Sequence, residues 1–421
     1  MLRALLVVTL VSLVTCEQCG ASSASSCEGE ATDSSFIQGK RKTPSPQRKP
    51  HVLLILADDY GWANFGKHRL SSATAEDRQA QAEVQTPNMD SLVDNGILLE
   101  RHYAYKICSP SRCSLQTGRL AVHVNTVNTG VTYWNPGDNV SGFAGIPRNM
   151  TGVAKKMKAG GYKTHMVGKW DAGMATPEHS PLGKGYDTWL GYFQHANDYW
   201  QESMPLASTG NLDVFRDFSF YNDTYHGPVI EEIAAELGCD QSVRHGGSRR
   251  KEHDLTDQDS PLFLFYAFHL LHTPLQLPNS YLEEIDKLAN ASGQQQLPWT
   301  QNRRLYAGMT LYLDTMIGRV IKELQRRRPA ADLVSACRQQ YSGQDGSGTM
   351  YDNTLIVFTA DNGGPVYEPG GKYSDWEGAV RTNAFVSGGF VPPHRRGKKF
   401  RGVMSIADWC RGGSKGREMQ G

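Results

Sequence analysis

The sequence has almost no net charge. Its 421 residues carry 44 Lys and Arg against 43 Asp and Glu, a formal +1. That balance lacks the electrostatic footprint of a nucleic-acid-binding domain. The one basic cluster, Lys40, Arg41, Lys42, Arg48 and Lys49, lies among Ser and Pro and reads as a solvated linker. Past the N-terminus no apolar run reaches membrane-spanning length, so no transmembrane anchor is predicted. There is no internal repeat. The five cysteines beyond the N-terminal region (Cys108, Cys113, Cys239, Cys337 and Cys410) show no paired Cys-x-x-Cys spacing, which excludes a zinc finger or ribbon.

The N-terminus is more informative. Arg3 precedes the apolar run Ala4 to Val14, followed by small and polar residues, the pattern of a cleaved signal peptide over residues 1–20. The product is expected in the secretory pathway, secreted or lysosome-like. Sequons at Asn139, Asn149, Asn222 and Asn290 fit that compartment. Oxidation there would pair some cysteines, and an odd set of five leaves at least one alone; Cys108 is the candidate. Residues 21–50, rich in Ser, Gly, Pro and Lys, read as a disordered leader.

Order is expected from "HVLLILADD" at His51. Similar β-rich runs follow: "YKTHMVGKW", "PLFLFYAFHL", "NTLIVFTADNGG" and "TNAFVSGGF". None alternates cleanly, as befits strands buried on both faces of a parallel sheet. Helical patterns lie between them. In "NRRLYAGMTLYLDTMIGRVIKELQRRR", Tyr306, Met309, Leu313, Ile317, Ile321 and Leu324 recur every three or four residues and form a core stripe. The alternation predicts a doubly wound α/β fold with a mixed, mostly parallel sheet flanked by helices. Ser71–Gln85 and Gly238–Ser260 are polar and read as surface insertions.

In such sheets ligands collect at the carboxyl ends of the strands. Polar clusters fall at those ends: Asp58 and Asp59, Asp361 and Asn362, Lys169, and His269 with His272. Carboxylate and amide oxygens suit a hard divalent cation, Ca2+ or Mg2+ before Zn2+. Either pair alone could equally cap a helix or form an Asx turn. Arg112, Lys169, Lys372 and the histidines add the cationic and proton-transferring groups that hold a tetrahedral oxyanion.

"CSPSRCSLQTGR", Cys108 to Arg119, resembles the signature of the type I sulfatases. The resemblance runs from His51 to about Asp408, which it implies is the catalytic domain. It looks most like the arylsulfatase branch that includes N-acetylgalactosamine-4-sulfatase, through "TPNMDSLVDNGILLERHYA" and "HTPLQ". It implies an alkaline-phosphatase-like α/β fold and hydrolysis of a sulfate ester on a small molecule or glycan. It further implies that Cys108 is oxidised to formylglycine by a formylglycine-generating enzyme in the endoplasmic reticulum. The aldehyde hydrate then attacks sulfur. By the same resemblance Asp58, Asp59, Asp361 and Asn362, with the converted Cys108, would hold Ca2+, and Arg112 would hold the hydrate. Lys169 in its "GKW" turn, His272 in "HTPLQLP" and Lys372 before "WEGAVR" complete the carry-over.

Two departures stand out. The family commonly has a histidine two residues beyond the "GKW" lysine, where this chain has Asp171. The family also continues past "VMSIADW" into a smaller C-terminal domain, whereas residues 409–421 are a divergent tail. These departures support a runner-up, a secreted pseudo-sulfatase with a binding role. A phosphoesterase of the same superfamily is the other alternative, opposed by the Cys-x-Pro-Ser-Arg spacing. A local Cys108–Cys113 disulfide is disfavoured if the segment is helical, because five-residue spacing turns the side chains apart. His195, Asn197 and Asp198 could contact a sulfated sugar or simply occupy a loop.

Overall fold

The computed structural model describes residues 49–69, 83–129, 142–193, 195–196, 199, 260–291, 300–326, 348–365 and 370–410. The signal peptide, nearly all of the leader, the cores of both insertions, Asn139, Asn197, Asp198, Asn222 and residues 411–421 lie outside them. Asn149 sits exposed in a turn.

Each apolar run becomes a strand. The five are β1 (His51–Ala57), β4 (Lys163–Gly168), β6 (Leu262–Ala267), β7 (Thr354–Ala360) and β8 (Ala384–Ser387). Shorter strands are β2 (Ile97–Leu99), β3 (His102–Tyr103), β5 (Thr188–Leu190), β9 (Lys398–Phe400) and β10 (Met404–Ser405). Eight form one sheet in the order β5-β4-β6-β1-β7-β8-β2-β9, and β3 pairs with β10 apart from it. From β5 to β7 every pairing is parallel; β8 is antiparallel to both β7 and β2.

Strand β1 shows why alternation was absent from the sequence. Leu53, Ile55 and Ala57 face one apolar layer, while Val52, Leu54 and Leu56 face the other. Both faces of a central parallel strand are covered, so every position is apolar. The first layer is built by α1 (Pro87–Asp94) and the long α5 (Gln301–Arg326), with α4 (Asn279–Ala291) packed on α5. All six residues of the α5 stripe are buried. The second layer comes from α2 (Cys108–Thr117) and α3 (Val153–Ala159), through Cys113, Leu115, Val153, Ala154 and Met157.

The parallel strands therefore end along one edge, where β1, β4, β6 and β7 lie side by side. Gly168 makes one of those ends possible. Its φ of +95° suits glycine, and a Cβ there would lie 1.8 Å from the Ala267 carbonyl oxygen. Lys169 follows with its N–H on that same carbonyl at 3.0 Å, which swings its side chain inward at the edge.

Candidate active site

Helix α2 is ten residues long and buried throughout, although its sequence is mostly small and polar. Local bonds explain this. Ser114 and Thr117 donate to the carbonyls of Pro110 and Cys113, and Ser111 exchanges bonds with the Tyr105 backbone. Gly118 closes the helix in the left-handed conformation at φ +72° and donates its N–H to the Ser114 carbonyl. The Thr-Gly-Arg end of the signature thus contains a helix stop. Cys108 is the first helical residue, at the end where unpaired backbone N–H groups favour an anion.

Around Cys108 the strand ends supply charges of both signs. Its Sγ lies 3.4 Å from Asp58 Oδ1 and 3.9 Å from Asp59 Oδ1, and Lys372 Nζ donates to it at 3.1 Å. Lys169 Nζ reaches Asp58 Oδ2 at 2.6 Å, and Lys372 Nζ reaches Asp59 Oδ1 at 2.8 Å. The Arg112 guanidinium, 1 % exposed, spans Asp361 Oδ2 at 2.8 Å and Asp58 Oδ2 at 3.3 Å. It also donates to the Lys169 carbonyl at 3.0 Å. Asn362 Nδ2 donates to Asp59 Oδ1 at 2.7 Å. His272 Nδ1 sits 2.7 Å from the Thr273 carbonyl, which fixes the proton on Nδ1 and leaves Nε2 free to accept, 3.7 Å from Asp59 Oδ2.

Asp58, Asp59, Lys169, His272, Asp361 and Asn362 from four strand ends, Cys108 and Arg112 from one helix and Lys372 from a turn thereby fall into one cluster. His269 is the exception among the strand-end groups: its ring packs on Tyr192 and Tyr199 instead. Cys108, Cys113 and Cys410 are all unbridged, and Cys113 is simply buried.

Burial works against charge here, and the partners decide the outcome. It raises Asp58, but Lys169, His272 and Arg112 outweigh it and hold the carboxyl below its usual range. Asp59 is likewise lowered against its burial, by Lys372 and His272. Asp361 goes the other way, raised by burial and by the charge of Asp58. Burial, Asp361 and Asp58 push the Cys108 thiol well above its ordinary range, despite Lys169 and Lys372. Unconverted, Cys108 is a protonated thiol and a poor nucleophile.

Asp171 is where sequence reasoning stopped short. The side chain is fully buried, and its Oδ1 takes bonds from Ser109 Oγ and Thr129 Oγ1, each at 2.8 Å. The same oxygen lies 3.3 Å from His195 Nδ1, while Oδ2 lies 3.5 Å from Lys169 Nζ. Burial raises this carboxyl, yet His195 and Lys169 hold it well below the usual carboxylate range. Ser109, Thr129 and Tyr306 were not foreseen. Tyr306 donates its hydroxyl to the Asp59 carbonyl at 2.6 Å and accepts from Gly61 N–H at 3.2 Å, pinning the β1 end. Only Ser109 carried a signal, as the neighbour of Cys108.

The residues present fit a hard dication. Asp58, Asp59, Cys108 and His272 bring possible ligand atoms within 4.8 Å of one another. Beside them the Asn362 Oδ1 is buried with no hydrogen-bond partner, an orphan acceptor that a cation would satisfy. Asp58, Asp59 and Asn362 give this set more oxygen donors than sulfur or nitrogen, which favours Ca2+ over Zn2+.

Fold and cluster together define an α/β protein with a buried, carboxylate-rich cluster threaded with Lys and Arg at the carboxyl edge of its sheet. The family model described as Sulfatase matches residues 50–334, and the chain belongs to the sulfatase family. It is 27 % identical over 379 residues to Arylsulfatase J of Mus musculus, covering 86 % of this chain and 51 % of that protein. With N-acetylgalactosamine-6-sulfatase of Homo sapiens it shares 27 % over 365 residues, or 83 % and 58 % of the two chains. Arylsulfatase G of Mus musculus is 34 % identical over 394 residues, 83 % and 61 %. The chain therefore spans between about half and three fifths of these relatives' lengths. Among solved structures, Ps i-CgsB superposes with a TM-score of 0.60 at 24 % identity, covering 86 % of this chain and 70 % of that one. The PsFucS1 sulfatase from Pseudoalteromonas sp. gives 0.51 at 21 %, covering 86 % and 66 %. Both support the fold.

Proposed function

We propose that the chain is a sulfuric ester hydrolase whose nucleophile is made from Cys108. One observation carries this: Cys108 opens a buried helix with Lys372 at 3.1 Å and Asp58 at 3.4 Å, where the thiol itself is held protonated and unreactive. Formylglycine at this position would supply a geminal diol, one hydroxyl for attack on sulfur and one whose deprotonation later expels sulfate. Asp58, Asp59, Asp361 and Asn362 would hold Ca2+, which supplies Lewis-acid polarisation of a sulfate oxygen.

The chain's own side chains do the rest. Arg112, locked between Asp361 and Asp58, presents a fixed positive charge behind residue 108. Lys169 and Lys372 flank the same point and counter the charge that grows on the sulfate oxygens. His272, with Nε2 facing the cluster, is placed to exchange a proton with the attacking or departing oxygen. Asp171 keeps Ser109, and so the first turn of α2, in register with the Lys169 turn.

Relatives and neighbours support a substrate class. Curated relatives are named for N-acetylgalactosamine-6-sulfate, and one neighbouring structure was solved with its substrate D-glucosamine-2-N,6-O-disulfate. A sulfated glycan is the proposed substrate, reached through the secretory pathway, where the formylglycine-generating enzyme would be a transient partner. The test is production in a eukaryotic secretory host, mass spectrometry of the Cys108 peptide, and assay of nitrophenyl sulfate against nitrophenyl phosphate. Converted Cys108 with sulfate-selective turnover is the expected result. Converted Cys108 without turnover favours the binding-only reading, which the Asp171 carboxylate supports.

A further inference from the structure

We infer that Tyr373 is the platform on which the ring carrying the sulfate group stacks, an assignment that rests on the hydrolase reading of the site. Lys372 and Tyr373 are the central residues of a turn from Gly371 to Ser374, closed by the Ser374 N–H on the Gly371 carbonyl at 3.1 Å. The third position of this turn takes φ +72°, a conformation that belongs to glycine. Asp59, Asp171 and His195 also hold positive φ at this site, but Asp and His tolerate it far better than a large aromatic side chain does. A tyrosine is therefore kept where the backbone favours its absence. Strain of this kind persists at positions where the side chain serves a function.

The placement says which function. The Tyr373 N–H is tied to the Lys106 carbonyl at 2.9 Å, two residues before Cys108, so the turn is stitched to the nucleophile segment. Lys372 Nζ lies 5.9 Å from the ring centroid and 3.1 Å from Cys108 Sγ. The same ammonium thus neighbours both the ring and the sulfur at the reacting position. Tyr373 is nonetheless 53 % exposed, so it is not a packing residue of the core. A flat, amphipathic face at the rim of a sulfate site matches the apolar face of a pyranose or an aryl ring. The lysine anchors the sulfate and the tyrosine carries what the sulfate is attached to.

The experiment uses the full chain from a secretory host, titrated with N-acetylgalactosamine sulfate and separately with inorganic sulfate. Tyr373→Gly removes the ring and relieves the backbone. Its expected signature is an about 3- to 10-fold weaker Kd for the sulfated sugar, an unchanged Kd for inorganic sulfate and a raised Tm. Tyr373→Phe is expected to keep the wild-type Kd for both. Equal weakening of both ligands, no weakening of the sugar, or a lowered Tm in Tyr373→Gly would each overturn the assignment. A wild-type chain that binds in this ring-dependent way but hydrolyses no sulfate ester overturns the hydrolase reading and leaves the platform standing.

Discussion

His195 Nδ1 stands 3.3 Å from Asp171 Oδ1, and both residues hold left-handed backbone, at φ 53° and 48°. The carboxylate at 171 would be a buried charge beside the oxyanion site if it stood alone. It does not: an imidazole on one side and Lys169 on the other accompany it, and Ser109 and Thr129 donate to Oδ1, while the buried Oδ2 has no hydrogen bond and only Lys169 Nζ at 3.5 Å beside it. The departure from the family pattern at 171 is thus a charge-compensated group that keeps one buried carboxylate oxygen without a hydrogen bond.

That pairing predicts coupled losses of stability. Asp171→Asn and His195→Asn should each destabilise by about 1.5–3 kcal/mol, the range for a hydrogen bond to a charged group. Together they should cost less than the sum, since removing either already breaks the pair. Urea unfolding of both single variants and the double variant measures this. Simple additivity would mean that the two side chains do not interact.

Arg112→Lys is the sharpest probe of the cluster's electrostatics. The guanidinium bridges two carboxylates and a carbonyl while fully enclosed, which a lysine ammonium on a shorter reach cannot reproduce. Lysine keeps the charge but loses the fork, so the cost should be measurable yet stay below the about 3–5 kcal/mol of a buried pair that loses one partner outright. The readout is the unfolding midpoint of this variant against Lys67→Ala, whose ion pair with Asp94 is at the surface and should be worth at most about 1 kcal/mol.

Calcium should act as a folding ligand. A cation that binds the native site alone stabilises by about 2.7 kcal/mol at one hundred times its Kd. Thermal melts in chelator and in Ca2+ should therefore differ, and Asn362→Ala should shrink the difference by removing the orphan acceptor. Equal melting of the wild type in both conditions would argue against a structural cation at Asp58, Asp59, Asp361 and Asn362.

How legible this was in the sequence depends on range. Apolar runs that end in Asp-Asp, Asp-Asn or Gly-Lys mark the strand ends, because a strand buried on both faces has no other place for polar side chains. Parallel pairing then brings those ends together, so Asp58, Lys169, His272 and Asp361 could be grouped before any geometry was known. The strand order could not, since it depends on crossovers over long stretches of chain. The Asp171–His195 contact was equally hidden. It joins two turns, and no local pattern marks a carboxylate whose partner is a half-buried ring on a separate loop. Tyr373 was hidden for the opposite reason: the local rule predicts glycine there, and only the observed φ shows the rule is broken.

Far from the site, His102 should make the fold acid-sensitive. Its ring is fully enclosed, with Nε2 accepting from Trp409 Nε1 at 2.9 Å and Nδ1 lying 2.7 Å from Thr382 Oγ1. An accepting Nε2 requires the neutral ring with its proton on Nδ1, and burial lowers its pKa from 6.5 to about 3. Below pH 6.5 the unfolded chain binds a proton that the folded chain refuses. This contribution is therefore complete above pH 6.5 and is lost progressively as pH falls toward 3, at up to about 1.4 kcal/mol per unit. His179 and His68, both lowered to about 4 by burial, act in the same direction. The His102 share is isolated by His102→Asn, which cannot take up the proton. Its deficit against wild type in urea should be largest at neutral pH and narrow steadily below pH 6. A deficit that stays constant down to pH 4 would mean His102 is protonated inside the fold and that Trp409 is not its donor.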